Sequence, residues 1–163
     1  MNNEEIKVIK QAIISEVEGY EFYKMAAEQT AFSDVKDTFL MLAGEELKHI
    51  EWLKAMFHSF AENKEEAYKL SNLLDVPSSN IFKWSNLDRD GAQKALSVFG
   101  ISIQMERAAV AFYKKAAEET TSEEAKMLYV KLSNWEKIHL DQFSVEYDKL
   151  MEDWWSDQEY APF

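Results

Sequence analysis

The chain has 163 residues, 47% of them hydrophobic, which is enough for one domain with a buried core. Its net charge of −12 argues against nucleic acid and anionic membrane surfaces as partners, since both recruit clustered Lys and Arg. The absence of Cys excludes disulfides, thiol chemistry and Cys-based zinc sites, and only 4 Gly and 2 Pro favour a few long elements over many short strands.

The N-terminus, MNNEEIKVIKQA, has no basic start followed by an apolar stretch, so no signal peptide is expected. No apolar run is read as approaching the ~20 residues of a membrane span, and the expectation is a soluble, cytoplasmic protein. Helical periodicity then runs through four stretches, at roughly 4–29, 33–62, 89–119 and 122–154. Ser33 and Ser122 are candidate N-caps, each followed by acidic residues that suit the positive end of a helix. The first and second helices, and the third and fourth, are joined by short links and should lie antiparallel. Between the pairs, residues 63–88 carry Pro77 and read as a long crossover, with a short helix expected near Glu65–Leu73.

The two pairs are copies of one another. FYKMAAEQT at Phe22–Thr30 recurs as FYKKAAEET at Phe112–Thr120, an offset of 90 residues. The same offset relates Glu16 to Glu106, Leu42 to Leu132, Glu46 to Glu136 and His49 to His139, with no insertion between them. The fold expected is all-α: a single domain made of a four-helix bundle from two duplicated hairpins, about 4–62 and 89–154. One long crossover gives that bundle the ferritin-like topology.

Each helix carries an apolar stripe spaced by threes and fours, the inward seam of a bundle. The seams run Ile6, Ile9, Ile13, Glu16, Tyr20, Tyr23, Ala27 in the first helix and Val35, Phe39, Leu42, Glu46, His49, Leu53, Met56, Phe60 in the second. They run Leu96, Phe99, Ile103, Glu106, Val110, Tyr113, Ala117 in the third and Ala125, Tyr129, Leu132, Glu136, His139, Phe143, Glu146, Leu150 in the fourth. Every seam is apolar until its middle, where a Glu appears. In the second and fourth, His follows three residues later, on the same helix face.

Four Glu and two His thus point inward at one depth. An ionised carboxylate in a dry core costs several kcal/mol or more unless it is paired or ligates a metal. Four together repel one another, and no Lys or Arg on these seams neutralises them. Two divalent cations would. One Glu from each of two helices, with Glu-x-x-His from each of the other two, is the dimetal pattern of ferritin-like bundles. Carboxylate oxygens with one imidazole per metal suit iron or manganese, and zinc also binds such sets.

The remaining residues are read more plainly. Tyr23 and Tyr113, seven residues after Glu16 and Glu106, are either core aromatics or hydrogen-bond donors to a ligand carboxylate. Tyr20, with Val110 as its counterpart, reads as packing, and His58, off the seam and without a repeat partner, as a surface or satisfied histidine. Glu18, whose counterpart is Ala108, is a solvated residue or an extra ligand. Glu146 faces solvent at the bundle mouth or relays metal or protons. Trp154 and Trp155 mark an interface or a helix end.

These residues resemble the rubrerythrin family of ferritin-like di-iron proteins. The resemblance rests on Glu16-x6-Tyr23 with Phe22 and Ala26-Ala27, LAGEELKH at Leu42–His49, Glu106-x6-Tyr113 and Glu136-x-x-His139, and spans about residues 4–152. It implies that Glu46 and Glu136 bridge two irons, that Glu16 and Glu106 are terminal carboxylates, and that His49 and His139 each hold one iron. It implies Tyr23 and Tyr113 as donors to those carboxylates, and reduction of hydrogen peroxide (or O2) as the activity. Two departures are visible. Many such proteins carry a Cys-rich rubredoxin domain; this chain has no Cys, so electrons must come from an external, rubredoxin-like donor. Some carry an additional carboxylate three residues from the Glu of the third helix; here Ile103 and Ala109 flank Glu106.

Two rival functions fit the same ligands. One is a ferroxidase or iron-storage protein resembling bacterioferritin, which requires a cage of many subunits. The other is a non-catalytic metal-binding or sensor bundle. The resemblance and the aromatic tail both point to a homodimer.

Overall fold

A computed structural model describes residues 3–61 and 89–157. It contains four helices: α1 (Asn3–Gln29), α2 (Ser33–Ala61), α3 (Arg89–Glu119) and α4 (Glu123–Asp157). The expected helix ends agree to within a few residues. The crossover, with the short helix expected at Glu65–Leu73, lies outside the described residues.

α1 packs along α2 and α3 along α4, while α1 and α3 touch only lightly. The two hairpin turns are built alike. Thr30 Oγ1 accepts the Phe32 amide and Thr120 Oγ1 accepts the Ser122 amide, at 3.3 and 3.1 Å. Ser122 caps α4 as expected, its Oγ accepting the Ala125 amide at 3.2 Å. Ser33 does not cap α2. The first helical bond runs from the Lys36 amide to the Phe32 carbonyl, so the repeat equivalent of Ser122 is Phe32, and Ser33 lies one residue inside the helix.

Two apolar clusters fill the bundle. One gathers Tyr23, Phe39, Leu42, Phe99, Ile103 and Phe143; the other gathers Ile9, Leu53, Met56, Tyr113, Leu128, Tyr129 and Leu132. Fully burying one such side chain is worth about 1.5–3 kcal/mol, so the two clusters carry the fold. Between them lies a polar layer. Glu16, Glu46, Glu106, Glu136, His49 and His139 are all at most 4% exposed.

Two expectations are adjusted. On α1 the inward stripe includes Ala12 and Gly19 as well, while Tyr20 is half-buried beside the Tyr23 cluster. Within α3, Gln93–Glu119 is long and apolar enough, by length and composition, to cross a membrane, contrary to the expectation of no such run. Its stretch from Ala95 to Tyr113 holds only Glu106 and Arg107 as charges. Here that stretch packs on α4 and turns Glu106 into the polar layer.

Candidate metal centre

The repeat places each ligand-type residue at the same height on its helix, and the antiparallel pairing then brings all six together. They form two overlapping groups. Glu16, Glu46, His49 and Glu136 make one, and Glu46, Glu106, Glu136 and His139 make the other, with the ligand atoms of each within 4.8 Å of one another. Glu46 and Glu136 belong to both. Two neighbouring ions held in these groups would share those two carboxylates, while Glu16 with His49 and Glu106 with His139 would each serve one.

Both imidazoles present Nδ1 to this space. His49 Nδ1 lies 3.1 Å from Glu16, 3.5 Å from Glu46 and 2.9 Å from Glu136. His139 Nδ1 lies 3.6 Å from Glu106 and 3.3 Å from Glu136. Proximity is not satisfaction, however. Both carboxylate oxygens of Glu136 and Nδ1 of His139 are buried without a hydrogen-bond partner among the described residues. Orphaned acceptors aimed at one small volume are what a cation requires, and leaving them unmade costs about 1–3 kcal/mol each or more. The donor set therefore fits two metal ions, and its oxygen-rich chemistry with one imidazole per ion suits iron or manganese.

The electrostatics point the same way. Burial, then the charges of Glu136 and Glu16, push Glu46 well above the usual carboxylate range. Burial and Glu136 push Glu106 up to about 7. For Glu136 burial acts upward too, but His49 and His139 overcome it and hold the group well below its usual range. Both histidines are raised: burial opposes their charge, and the surrounding carboxylates outweigh it. Among the described residues no Lys or Arg is buried in the core. Protons alone must then offset four carboxylates, which is the situation a pair of divalent cations resolves.

Tyr23 and Tyr113 settle as hydrogen-bond donors. Tyr23 Oη donates to Glu106 and Tyr113 Oη donates to Glu16, each reaching across to the opposite hairpin. Burial and those carboxylates push both phenols well above their usual value, so they stay neutral donors.

Two residues that matter here were not singled out in the sequence. Glu45 accepts hydrogen bonds from Trp135 Nε1 at 2.9 Å and from His139 Nε2 at 2.7 Å, both at the same oxygen. Burial raises Glu45, but His139 and Trp135 outweigh it and the carboxyl is lowered. Gly19 brings α1 close to the centre: a Cβ there would stand 3.4 Å from the Glu46 carboxyl carbon.

Between α1 and α3 a cavity of about 340 Å³ opens onto the centre. Ser15 and Gly19 form one wall and Met105, Ala108, Ala109 and Phe112 the other; Glu46, Glu136 and both tyrosines form the floor. Glu18 lines the mouth and is exposed, outside both ligand groups. Glu146 is half-buried and also outside them. His58 is exposed, edge-on to Phe57.

A helical bundle with two overlapping carboxylate–histidine groups in its core has the ferritin-like arrangement, with a candidate site for two metal ions. The sequence matches the Rubrerythrin family over residues 7–147, and the chain belongs to that family. Its fold is similar to that of a hypothetical protein from Pyrococcus furiosus, with a TM-score of 0.68 and 25% identity, over 91% of this chain and 90% of that one. No curated protein matches the sequence.

Proposed function

We propose that this protein is a di-iron oxidoreductase that reduces hydrogen peroxide, or O2, with electrons from an external donor such as a rubredoxin-like protein. The observation that carries this reading is the pair of shared carboxylates, Glu46 and Glu136, lining the floor of the α1–α3 cavity. A closed structural site would have no such approach.

A bound pair of reduced irons would supply the two electrons with which peroxide and two protons become two waters. The chain supplies the rest. Glu46 and Glu136, which belong to both ligand groups, would hold both cations. Tyr23 and Tyr113 pin Glu106 and Glu16, limiting how far those carboxylates swing. The apolar wall of Met105, Ala109 and Phe112 admits a small neutral oxidant and thins the water around it.

Anaerobic, iron-loaded, reduced protein mixed with peroxide in a stopped-flow instrument tests the reading. A visible diferric band forming within seconds, faster than oxidation of free Fe²⁺, is the expected result. A rate no greater than that of free Fe²⁺ overturns it.

Glu18 at the cavity mouth favours a second reading, iron handling, because an exposed carboxylate there would draw cations inward. Size-exclusion chromatography separates the two: a homodimer fits the oxidoreductase, and a shell of many subunits fits storage.

A further inference from the structure

The duplication that matches the six ligands fails directly behind the histidines. Glu45 and Trp135 occupy equivalent positions, 90 residues apart, and each precedes a Glu-x-x-His. The pseudo-symmetry sets each against the histidine of the other hairpin. Behind His139 stands the Glu45 carboxylate, 2.7 Å from Nε2. Behind His49 stands the Trp135 ring, centroids 5.0 Å apart and nearly perpendicular, with Trp52 at 5.6 Å. His49 Nε2 is buried without a hydrogen-bond partner among the described residues. Trp135 spends its own N–H on Glu45, and so reinforces the contrast.

A carboxylate on the far nitrogen of a ligating imidazole fixes the tautomer that leaves the near nitrogen free, and makes that nitrogen a stronger donor. His139 has this support and His49 lacks it. We infer that Glu45 is a positioning residue that makes the two halves of the centre unequal, so that the half of Glu106 and His139 takes its cation first and holds it more tightly. The inference rests on the dimetal reading above and adds an order to it: this chain passes through a defined one-metal form.

The order cannot be read from two binding constants alone, because shared carboxylates make the second ion harder to bind even in a symmetric site. The location of the first ion decides. Full-length protein labelled at its histidine rings, given one equivalent of Co²⁺, reports which imidazole is metal-bound by its paramagnetically shifted NMR signals. His49→Ala and His139→Ala assign those signals. The expected result is occupancy of the His139 half over the His49 half by about tenfold or more, with a slowly exchanging His139 Nε2 proton. In Glu45→Gln the ratio should fall to within about threefold of unity. Trp135→Phe, which removes a donor to Glu45 but leaves the carboxylate on His139, should keep the preference. An equal mixture in the parent protein, or a preference that survives Glu45→Gln, overturns the inference while leaving the dimetal centre standing. No Co²⁺ shift at either histidine in folded protein overturns the centre itself.

Discussion

Glu16 with His49 and Glu106 with His139 occupy equivalent places in a duplicated hairpin, but the residues behind the two histidines have diverged. On one side a carboxylate anchors the imidazole; on the other an indole ring leaves the far nitrogen without a hydrogen-bond partner among the described residues. The ligands themselves are matched pairwise, and so are the tyrosines that reach across to them. The contrast shows that duplication fixed the ligand positions, through helix periodicity and antiparallel pairing, and left the supporting layer free to differ. Two cations bound in this centre would then meet different surroundings.

The largest effect should come from residues that belong to both halves. Glu136→Ala is expected to drop metal content from about two ions per chain to well under one, because Glu136 sits in both ligand groups. Glu16→Ala and Glu106→Ala should each leave about one ion. Elemental analysis of purified protein reads all three. If Glu136→Ala also retains one ion, the shared-ligand geometry is wrong.

Metal removal comes next. At about 1,000 times its dissociation constant, a ligand that binds only folded protein adds ~4 kcal/mol, and about 10 °C in Tm follows for a chain of this size. Calorimetry with and without metal measures it. The single-half variants should show roughly half of that rise, and a rise that survives Glu136→Ala would detach it from this site.

Acidity probes the Glu106 half. Glu46, Glu106, His49 and His139 all bind protons more tightly folded than unfolded, so the stability they confer is present at low pH and lost as pH rises. Glu136 and Glu45 are shifted the other way and matter only below the ordinary carboxylate range. Stability of the metal-free protein should therefore fall from about pH 4.5 upward, with the Glu106 share lost by about pH 7, at up to ~1.4 kcal/mol per pH unit for each proton released. Urea melts across that window check the sign. Glu106→Gln should flatten the fall, and metal-loaded protein should lack it, since cations replace the protons.

The smallest effects test the cross-over of the tyrosines. Tyr23→Phe should weaken the Glu106 half and Tyr113→Phe the Glu16 half, each by about tenfold in affinity, with little change in the fold. Single-site titrations in the Glu16→Ala and Glu106→Ala backgrounds separate the two. Equal weakening of both halves by either change would break the pairing.

How much of this was legible beforehand follows the same division. The helices, the repeat and the six ligand-type residues follow from spacing, because i and i+3 positions share a helix face whatever surrounds them. For the tyrosines spacing does not separate packing from hydrogen bonding, since it puts Tyr23 near the layer but cannot show that it reaches Glu106 on the other hairpin. Glu45 lies off its own seam, and only the opposite hairpin gives it His139 and Trp135 as partners. Ser33 has the sequence pattern of a cap because a hydroxyl one residue late looks alike, whereas the Phe32 carbonyl is what opens the helix. Tertiary neighbours, not local pattern, decided each of these.

Anomalous scattering at the iron edge from crystals of iron-loaded protein tests the central claim most directly. Two peaks are expected in the polar layer, one at His49 Nδ1 and one at His139 Nδ1, both within bonding distance of Glu46 and Glu136. An iron-loaded crystal with no peak there, its carboxylates joined by hydrogen bonds and water instead, would contradict it.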